Sequence, residues 1–374
     1  MKRLVYISGT RADFGLMQRT LQALSDHPKI DLGVCVTGMH LSDKFGHTVD
    51  DIKASGLKVV AELPIPMDEG TAHEMASGFG LEAVAFSKFF ADYKPDAILV
   101  LGDRGEMLAA AIAAVHFGIP VLHIGGGERS GTIDESIRHA LSKFAHYHFV
   151  TTDLCKDRLI KMGEEPDSIY RISAPGLDTL ADFKPLDKNS LFEKLGLDTT
   201  QPTAMCLFHP VVQRADDAGA QMLNVLEALK ASGVQCLVLE PNADAGNQNI
   251  RDAITHANTG FKRITHLERD VFLACFAHFD VLVGNSSSGI IEAASFGLPV
   301  VNIGTRQNGR ERNANTIDVA PKTNEIKQAI AAALANGRTP KENIYGTSDC
   351  FKTLPSIIAG LNLAATKLEK MNTY

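Results

Sequence analysis

The sequence of 374 residues holds six cysteines (Cys35, Cys155, Cys206, Cys236, Cys275 and Cys350) but no C-x-x-C pair. Thiols scattered in this way suit small buried hydrophobes in the reduced state, and they argue against a zinc ribbon or a disulfide framework. Long apolar runs are missing as well. The stretch 108–115 falls far short of the roughly 20 residues that a membrane-spanning helix needs. Basic charge is not in excess, because 37 Lys+Arg face 44 Asp+Glu for a formal charge of -7. Nothing is therefore in reserve to neutralise a phosphate backbone, which argues against nucleic acid as a partner. Met1-Lys2-Arg3 does not lead into a signal peptide, since Ser8-Gly9-Thr10-Arg11-Ala12-Asp13 interrupts the apolar segment at once. A cytoplasmic location with no membrane partner is expected. Absent, finally, after the first strand are both G-x-G-x-x-G and G-x-x-x-x-G-K-[ST], so neither a nicotinamide cofactor nor a P-loop nucleotide is implied.

What is present is a globular composition, 45% hydrophobic and 22% charged, on a chain long enough for two domains. Short β-branched runs alternate with helically spaced apolar stretches. The predicted strands are 4–8, 32–37, 59–63, 97–101, 121–124, 148–151 and 170–173 in the first half. In the second half they are 204–208, 236–239, 262–265, 281–283, 300–303 and 317–319. Such alternation predicts parallel sheets covered by helices on both faces. Residues 182–202, rich in Pro, Lys and polar side chains, read as a linker between domains at 1–181 and 203–374, with the last helix expected to return to the first domain. A module echoed in the two halves supports this division. Asp96-Ala97-Ile98-Leu99-Val100-Leu101-Gly102 leads through a helix to Phe117-Gly118-Ile119-Pro120, and Asp280-Val281-Leu282-Val283-Gly284 leads likewise to Phe296-Gly297-Leu298-Pro299. The expected fold is α/β, two Rossmann-like domains with a central cleft, and ligands in such sheets bind beyond the carboxyl ends of the strands.

Four groups of loops at strand ends carry candidate chemistry. In Ser8-Gly9-Thr10-Arg11-Ala12-Asp13-Phe14-Gly15, a helix start and the Arg11 guanidinium suit an anion; the structural alternative has Arg11 capping a neighbouring loop and Asp13 as N-cap. Gly284-Asn285-Ser286-Ser287-Ser288-Gly289 precedes a helix expected over 290–296. Its hydroxyls and N–H groups suit a diphosphate, with Glu292 reaching ribose hydroxyls, or else the run simply caps that helix. The third group comprises Asp103, Arg104, Glu128 and the segment Asp134-Glu135-Ser136-Ile137-Arg138-His139. Several carboxylates near strand ends are what proton transfer requires. Asp103 capping a helix, and surface pairs Asp134–Arg138 and Glu135–His139 at i,i+4, are the alternatives. Fourth, His209 ends a strand, either to meet a phosphate and shuttle a proton near neutral pH or to bond a backbone carbonyl. His146 and His148 have no acidic or Cys partner at fixed spacing, so no metal is expected there.

Taken together, Gly9-Thr10-Arg11-Ala12-Asp13-Phe14-Gly15, Val36-Thr37-Gly38-Met39-His40-Leu41, Gly102-Asp103-Arg104, Ser130-Gly131-Thr132-Ile133-Asp134-Glu135-Ser136-Ile137-Arg138-His139, Gly284-Asn285-Ser286-Ser287-Ser288-Gly289 and Gly304-Thr305-Arg306-Gln307-Asn308-Gly309-Arg310 resemble the sugar-nucleotide 2-epimerase family. The likeness is nearer to its hydrolysing branch, which supplies sialic-acid and related nonulosonic-acid pathways. The resemblance implies a GT-B-like fold, no cofactor or metal, and a homodimer or homotetramer. It also implies elimination of UDP from a UDP-N-acetylhexosamine, followed by rehydration of the glycal with inversion at C2. By that resemblance Arg11, Asn242, Ser286, Ser287, Glu292 and Arg306 hold UDP, with Arg104 and His209 near the diphosphate and sugar. Asp103 and Asp134 are the acid/base carboxylates. The substrate is UDP-N-acetylglucosamine or UDP-N,N'-diacetylbacillosamine; Ala174-Pro175-Gly176-Leu177-Asp178 resembles the latter branch. One position departs from the family, since Gly125 stands where many members carry Glu or His. Either Asp103, Asp134 and Glu128 share that work, or the substrate differs, or turnover is impaired. A GT-B glycosyltransferase and a non-catalytic UDP-sugar sensor are the rival functions.

Overall fold

A computed structural model describes every residue except 67–71, 131–133, 242–245, 266 and 365–369, together with the side chains of 45 and 72. The chain divides into two units. The first comprises Met1–Glu128, Asp134–Ala181 and Tyr345–Tyr374, and the second Asp182–Ile344 with Arg129 and Ser130.

Unit 1 runs β1 (Lys2–Ser8), α1 (Arg11–Ser25), β2 (Ile30–Thr37), α2 (Val49–Ala54), β3 (Val59–Leu63), α3 (Ala72–Tyr93), β4 (Ala97–Leu101), α4 (Gly105–His116), β5 (Val121–Ile124), α5 (Asp134–Phe144), β6 (Tyr147–Val150), α6 (Asp153–Lys161) and β7 (Ile169–Arg171). Its seven strands are all parallel in the order β3-β2-β1-β4-β5-β6-β7. Successive residues of a strand point to opposite faces. Leu4 and Tyr6 therefore join one core with Val34, Leu99 and Phe149, while Val5 and Ile7 join another with Ile98 and Val100. The first core is covered by Met17, Leu21 and Leu24 of α1, the second by Phe86 and Phe90 of α3 and the alanine-rich α4.

Unit 2 runs α7 (Lys188–Leu195), β8 (Thr203–Leu207), α8 (Ala218–Ala231), β9 (Gln235–Leu239), α9 (Asn247–His256), β10 (Lys262–Ile264), α10 (Arg269–His278), β11 (Val281–Gly284), α11 (Ser287–Ile291), β12 (Val300–Ile303), β13 (Thr316–Val319) and α12 (Thr323–Asn336). Its parallel order is β10-β9-β8-β11-β12-β13. The thirteen strands fall where the sequence puts them, within two residues at each end. Residues 182–202 differ from the expectation of a polar linker. Asp187 caps α7 by accepting the Ser190 N–H at 3.1 Å. Leu191 and Phe192 are buried, and Phe192 sets its ring edge-on to Phe279. Part of the polar stretch that suggested a linker is the outer face of an amphipathic helix, with the 198–201 cluster in the turn that follows it.

The chain then closes unit 1 with α13 (Cys350–Gly360). Its free N–H groups at Cys350 and Phe351 donate to the fully buried Asp178 at 2.9 and 2.8 Å, and the Thr20 hydroxyl donates to the same carboxylate at 2.6 Å. The stretch 174–178 is thus a structural clamp between α1 and α13. Asp178→Ala leaves three donors without their acceptor and should destabilise unit 1 by about 2–4 kcal/mol. Asp178→Asn, which keeps one carbonyl acceptor, should lose clearly less in parallel urea titrations.

Candidate functional site

In unit 1 the strand order reverses between β1 and β4, and in unit 2 between β8 and β11. Loops leaving neighbouring strands diverge at such a point and leave their ends accessible. The loops after β1 and β4, with Arg11, Asp103 and Arg104, flank that point in unit 1, and those after β8 and β11, with His209, Ser286 and Ser287, flank it in unit 2; each unit is described by itself.

After β1, Thr10 caps α1 and Asp13 returns the bond as third helical residue, a reciprocal capping box. The structural alternative that made Asp13 the N-cap is thus corrected, since Thr10 holds that position. Its buried carboxylate accepts from Gly9 N–H (3.0 Å), Thr10 N–H (2.6 Å) and the Ser8 hydroxyl (2.5 Å). Burial nevertheless pushes its pKa up to about 6, against those hydrogen bonds and with help from the charge of Glu106. His40 is fully buried between the Ser8 hydroxyl (2.9 Å) and the Thr48 hydroxyl (2.7 Å), and burial lowers its pKa to about 4. Arg11 is exposed, 3.9 Å from Asp51.

After β4, Gly102 turns with φ +82 into Asp103. Asp103 is ion-paired to Arg138, whose side chain is only 1% exposed and which also donates to the Glu128 carbonyl at 3.3 Å. Arg138 is thus not half of a solvated helix-surface pair. It reaches inward from α5 and ties Asp103 to the glycine-rich turn after β5. The Glu135–His139 pair does form at 3.4 Å. Gly125 opens that turn at φ +86, a backbone that a side chain would strain. Glycine here has a conformational role of its own, and a glutamate would not sit easily on this backbone. Glu128 receives the Thr151 hydroxyl at 3.5 Å. Asp134 begins α5, and its charge, with those of Glu106 and Asp13, holds Arg104 above its ordinary pKa.

Glu106, in the first turn of α4, pairs with Arg104 at 2.6 Å and lies against Gly9, where an added Cβ would collide with its carboxylate. It thereby links the loops after β4 and β1. Behind it, Glu82 of α3 is buried, and its Oε1 has no hydrogen-bond partner. Sequence reading missed Glu82, Glu106 and the inward course of Arg138, and it quoted His40 within the segment 36–41 without giving it a role. The Glu106 position, two residues after Arg104 in a helix start, left a trace in the pattern.

In unit 2, Asn285 latches the loop after β11 to that after β8: it accepts the His209 N–H at 2.7 Å and donates to the His209 carbonyl at 2.8 Å. The Asn285 carbonyl in turn accepts from Arg306 (3.2 Å) and Gln307 (2.9 Å). Burial, and then the Arg306 charge, lowers the His209 pKa to about 3. A ring held that low is neutral near pH 7, which speaks against the proton-shuttle reading of His209 and leaves the hydrogen-bonding one. Ser286 caps α11, which starts at Ser287 rather than at 290, and residues 293–296 form a separate 3-10 turn. Glu292 is buried and paired to Arg269. Asn242 and the segment 131–133 lie outside the described residues. Among the described residues, no group of three His, Cys, Asp or Glu side chains has metal-site geometry, and no helix is long and apolar enough to cross a membrane.

Residues 22–359 match the family model described as UDP-N-acetylglucosamine 2-epimerase. The chain belongs to that family. A hydrolysing UDP-N,N'-diacetylbacillosamine 2-epimerase of Legionella pneumophila is 43% identical over the whole of both chains. A UDP-N-acetylglucosamine 2-epimerase of Neisseria meningitidis is 31% identical over 93% of this chain and 92% of its own. Among solved structures, that of the UDP-GlcNAc 2-epimerase from Neisseria meningitidis bound to UDP-GlcNAc superposes with a TM-score of 0.79, at 19% identity, over 96% of this chain and 99% of that one. The two parallel-sheet units are the GT-B-like fold of these epimerases.

Burial first, and then the charge of Glu106, pushes the Glu82 carboxyl from the ordinary 4.5 up to about 8, with Arg104 pulling the other way. The folded protein keeps a proton there that the unfolded chain releases, so this group costs stability as pH rises from about 4.5 to about 8. Glu82→Gln removes that loss. Its advantage in thermal midpoint over the wild type should widen through this window and level off above it; an advantage independent of pH would mean that Glu82 does not titrate there.

Proposed function

We propose that this UDP-HexNAc 2-epimerase works by the hydrolysing route, converting UDP-N,N'-diacetylbacillosamine and water to UDP and the C2-inverted diacetamido sugar, a precursor of legionaminic-type nonulosonic acids. The observation that carries this reading is the end-to-end relation, at 43% identity, to a relative named for that reaction. A second reading, UDP-N-acetylglucosamine to N-acetylmannosamine, rests on the 31% identity to the Neisseria relative named for that sugar nucleotide.

The chemistry suits the charges at the two switch points. When the C1–O bond breaks, its electron pair leaves with the β-phosphate oxygen of UDP and positive charge develops on the sugar ring. Arg11, Asn242, Ser286, Ser287, Glu292 and Arg306 are proposed to hold UDP. Arg104 and the neutral His209 donate hydrogen bonds to the diphosphate. Positive charge at C1 acidifies the C2 hydrogen, so a base of modest strength suffices. Asp103, ion-paired to Arg138, takes that proton as the C1=C2 double bond forms. Water then adds its hydroxyl to C1, while C2 receives a proton from the opposite face, supplied by Asp134 or Glu128, which regains one from the attacking water; the proton on Asp103 returns to solvent. Atoms balance: one sugar nucleotide and one water give UDP and one free sugar.

Side-by-side assays of the two sugar nucleotides should give UDP release without any acceptor, faster from the diacetylbacillosamine nucleotide; faster turnover of UDP-N-acetylglucosamine would favour the second reading. Product formed in D₂O should carry deuterium at C2, and product that keeps its original hydrogen there would rule out elimination. Asp103→Asn should lower kcat by roughly 10²- to 10⁴-fold while UDP affinity in calorimetry stays near wild type.

A further inference from the structure

The base proposed above is approached from two sides, and one of them has no reactive group. Gly102, immediately before Asp103, sends its N–H to the Ile124 carbonyl at 2.9 Å and receives the His123 Nε2 at 2.8 Å on its own carbonyl. His123 lies on β5, fully buried between Leu122 and Ile124 in a strand whose other three residues are apolar. An imidazole in such a place costs free energy unless its polar atoms are satisfied, so packing alone does not account for it.

A carbonyl oxygen only accepts, so Nε2 carries the proton and Nδ1 keeps its lone pair. That lone pair faces the Ser142 hydroxyl at 3.4 Å. The same hydroxyl lies 2.9 Å from the Arg138 carbonyl, one turn earlier on α5, and Arg138 is the residue that closes on the Asp103 carboxylate. One ring therefore touches both the main chain that leads into Asp103 and the helix that carries its counter-ion. Little room surrounds it: a Cβ added at Gly126 would stand 3.1 Å from Nδ1. Burial lowers the imidazole pKa to about 3, so the ring brings no charge of its own to a carboxylate that has to stay negative.

We infer that His123 is a positioning residue for the elimination, its Nε2–H bond to the Gly102 carbonyl fixing the turn that aims the Asp103 carboxylate at C2 of the sugar. The inference rests on the reading of Asp103 as the base. It assigns His123 no contact with substrate.

Two substitutions separate this role from mere filling of space. The amide nitrogen of Asn occupies the place of Nδ1 and stops short of Gly102, whereas that of Gln reaches the place of Nε2. His123→Asn should lose kcat on the order of 10²-fold, the scale of a displaced catalytic group, with KM and UDP affinity close to wild type. His123→Gln should recover most of that loss. Equal activity of the two variants, or His123→Gln no better than His123→Asn while both bind UDP like the wild type, would overturn the inference. Should His123→Asn fail to fold, nitrogen-15 NMR of the wild-type imidazole decides: the expected tautomer at neutral pH is Nε2–H, and the Nδ1–H tautomer overturns the role. Absence of UDP release by the wild type from either sugar nucleotide would instead remove the function itself, a failure distinct from a wild type that turns over with indistinguishable Asn and Gln variants.

Discussion

A guanidinium almost wholly withdrawn from water at Arg138 is received by the Asp103 carboxylate and the Glu128 carbonyl. Removing one partner of such a buried pair typically costs about 3–5 kcal/mol, since the other charge is left without compensation. The pair therefore fixes three segments at once: the end of β4, the first turns of α5 and the glycine-rich turn after β5. Around it, residues without reactive groups of their own have their polar atoms bonded: Gly102 through its N–H to the Ile124 carbonyl and its carbonyl to His123, and Ser142 through its hydroxyl to the Arg138 carbonyl. The placement of the proposed base and local stability depend here on the same contact.

Each unit solves the same topological problem with different chemistry. Where its sheet reverses direction, unit 1 ties the two diverging loops with charge, through Glu106 against Gly9 and Arg104. Unit 2 ties the corresponding loops with an amide, Asn285 reading both backbone groups of His209. A charged tie raises and lowers neighbouring pKa values; Asp13, Glu82 and Arg104 all feel it. The amide tie adds no net charge beside the Arg306 guanidinium, which keeps that loop electropositive and suited to an anionic ligand.

Much of the fold was legible because its signals are local. Strand residues alternate or run apolar between turn residues, and the echoed Phe-Gly-x-Pro turns adopt the same conformation, with Gly118 at φ +65 and Gly297 at φ +64. Helix α7 escaped because its buried face is narrow, Leu191, Phe192 and Leu195, within a polar segment. At the candidate site, Asp103 was legible from its place at a strand end. Its partner was not. From the sequence Arg138 had an equally good acceptor four residues away in Asp134, and only the tertiary fold brings Asp103 within reach. The titration of His209 and Glu82 was hidden for the same reason, since burial is a property of the surroundings and not of spacing.

The first strand and the last helix also meet: the Lys2 ammonium donates to the carbonyls of Ile358, Ala359 and Leu361 at the end of α13. Unit 2 is thus inserted, in chain order, into a unit whose final piece is made last. When a ribosome has passed Ile344, every strand and helix of unit 2 has been synthesised, whereas α1 still presents Met17, Leu21 and Leu24 without the Leu354 and Ile358 that join their core. Domains fold as units during synthesis, usually from the N-terminus. Here α13 follows the whole of unit 2, so the apolar face of α1 is completed only once α13 has been made, and until then chaperones and proteases would meet it first.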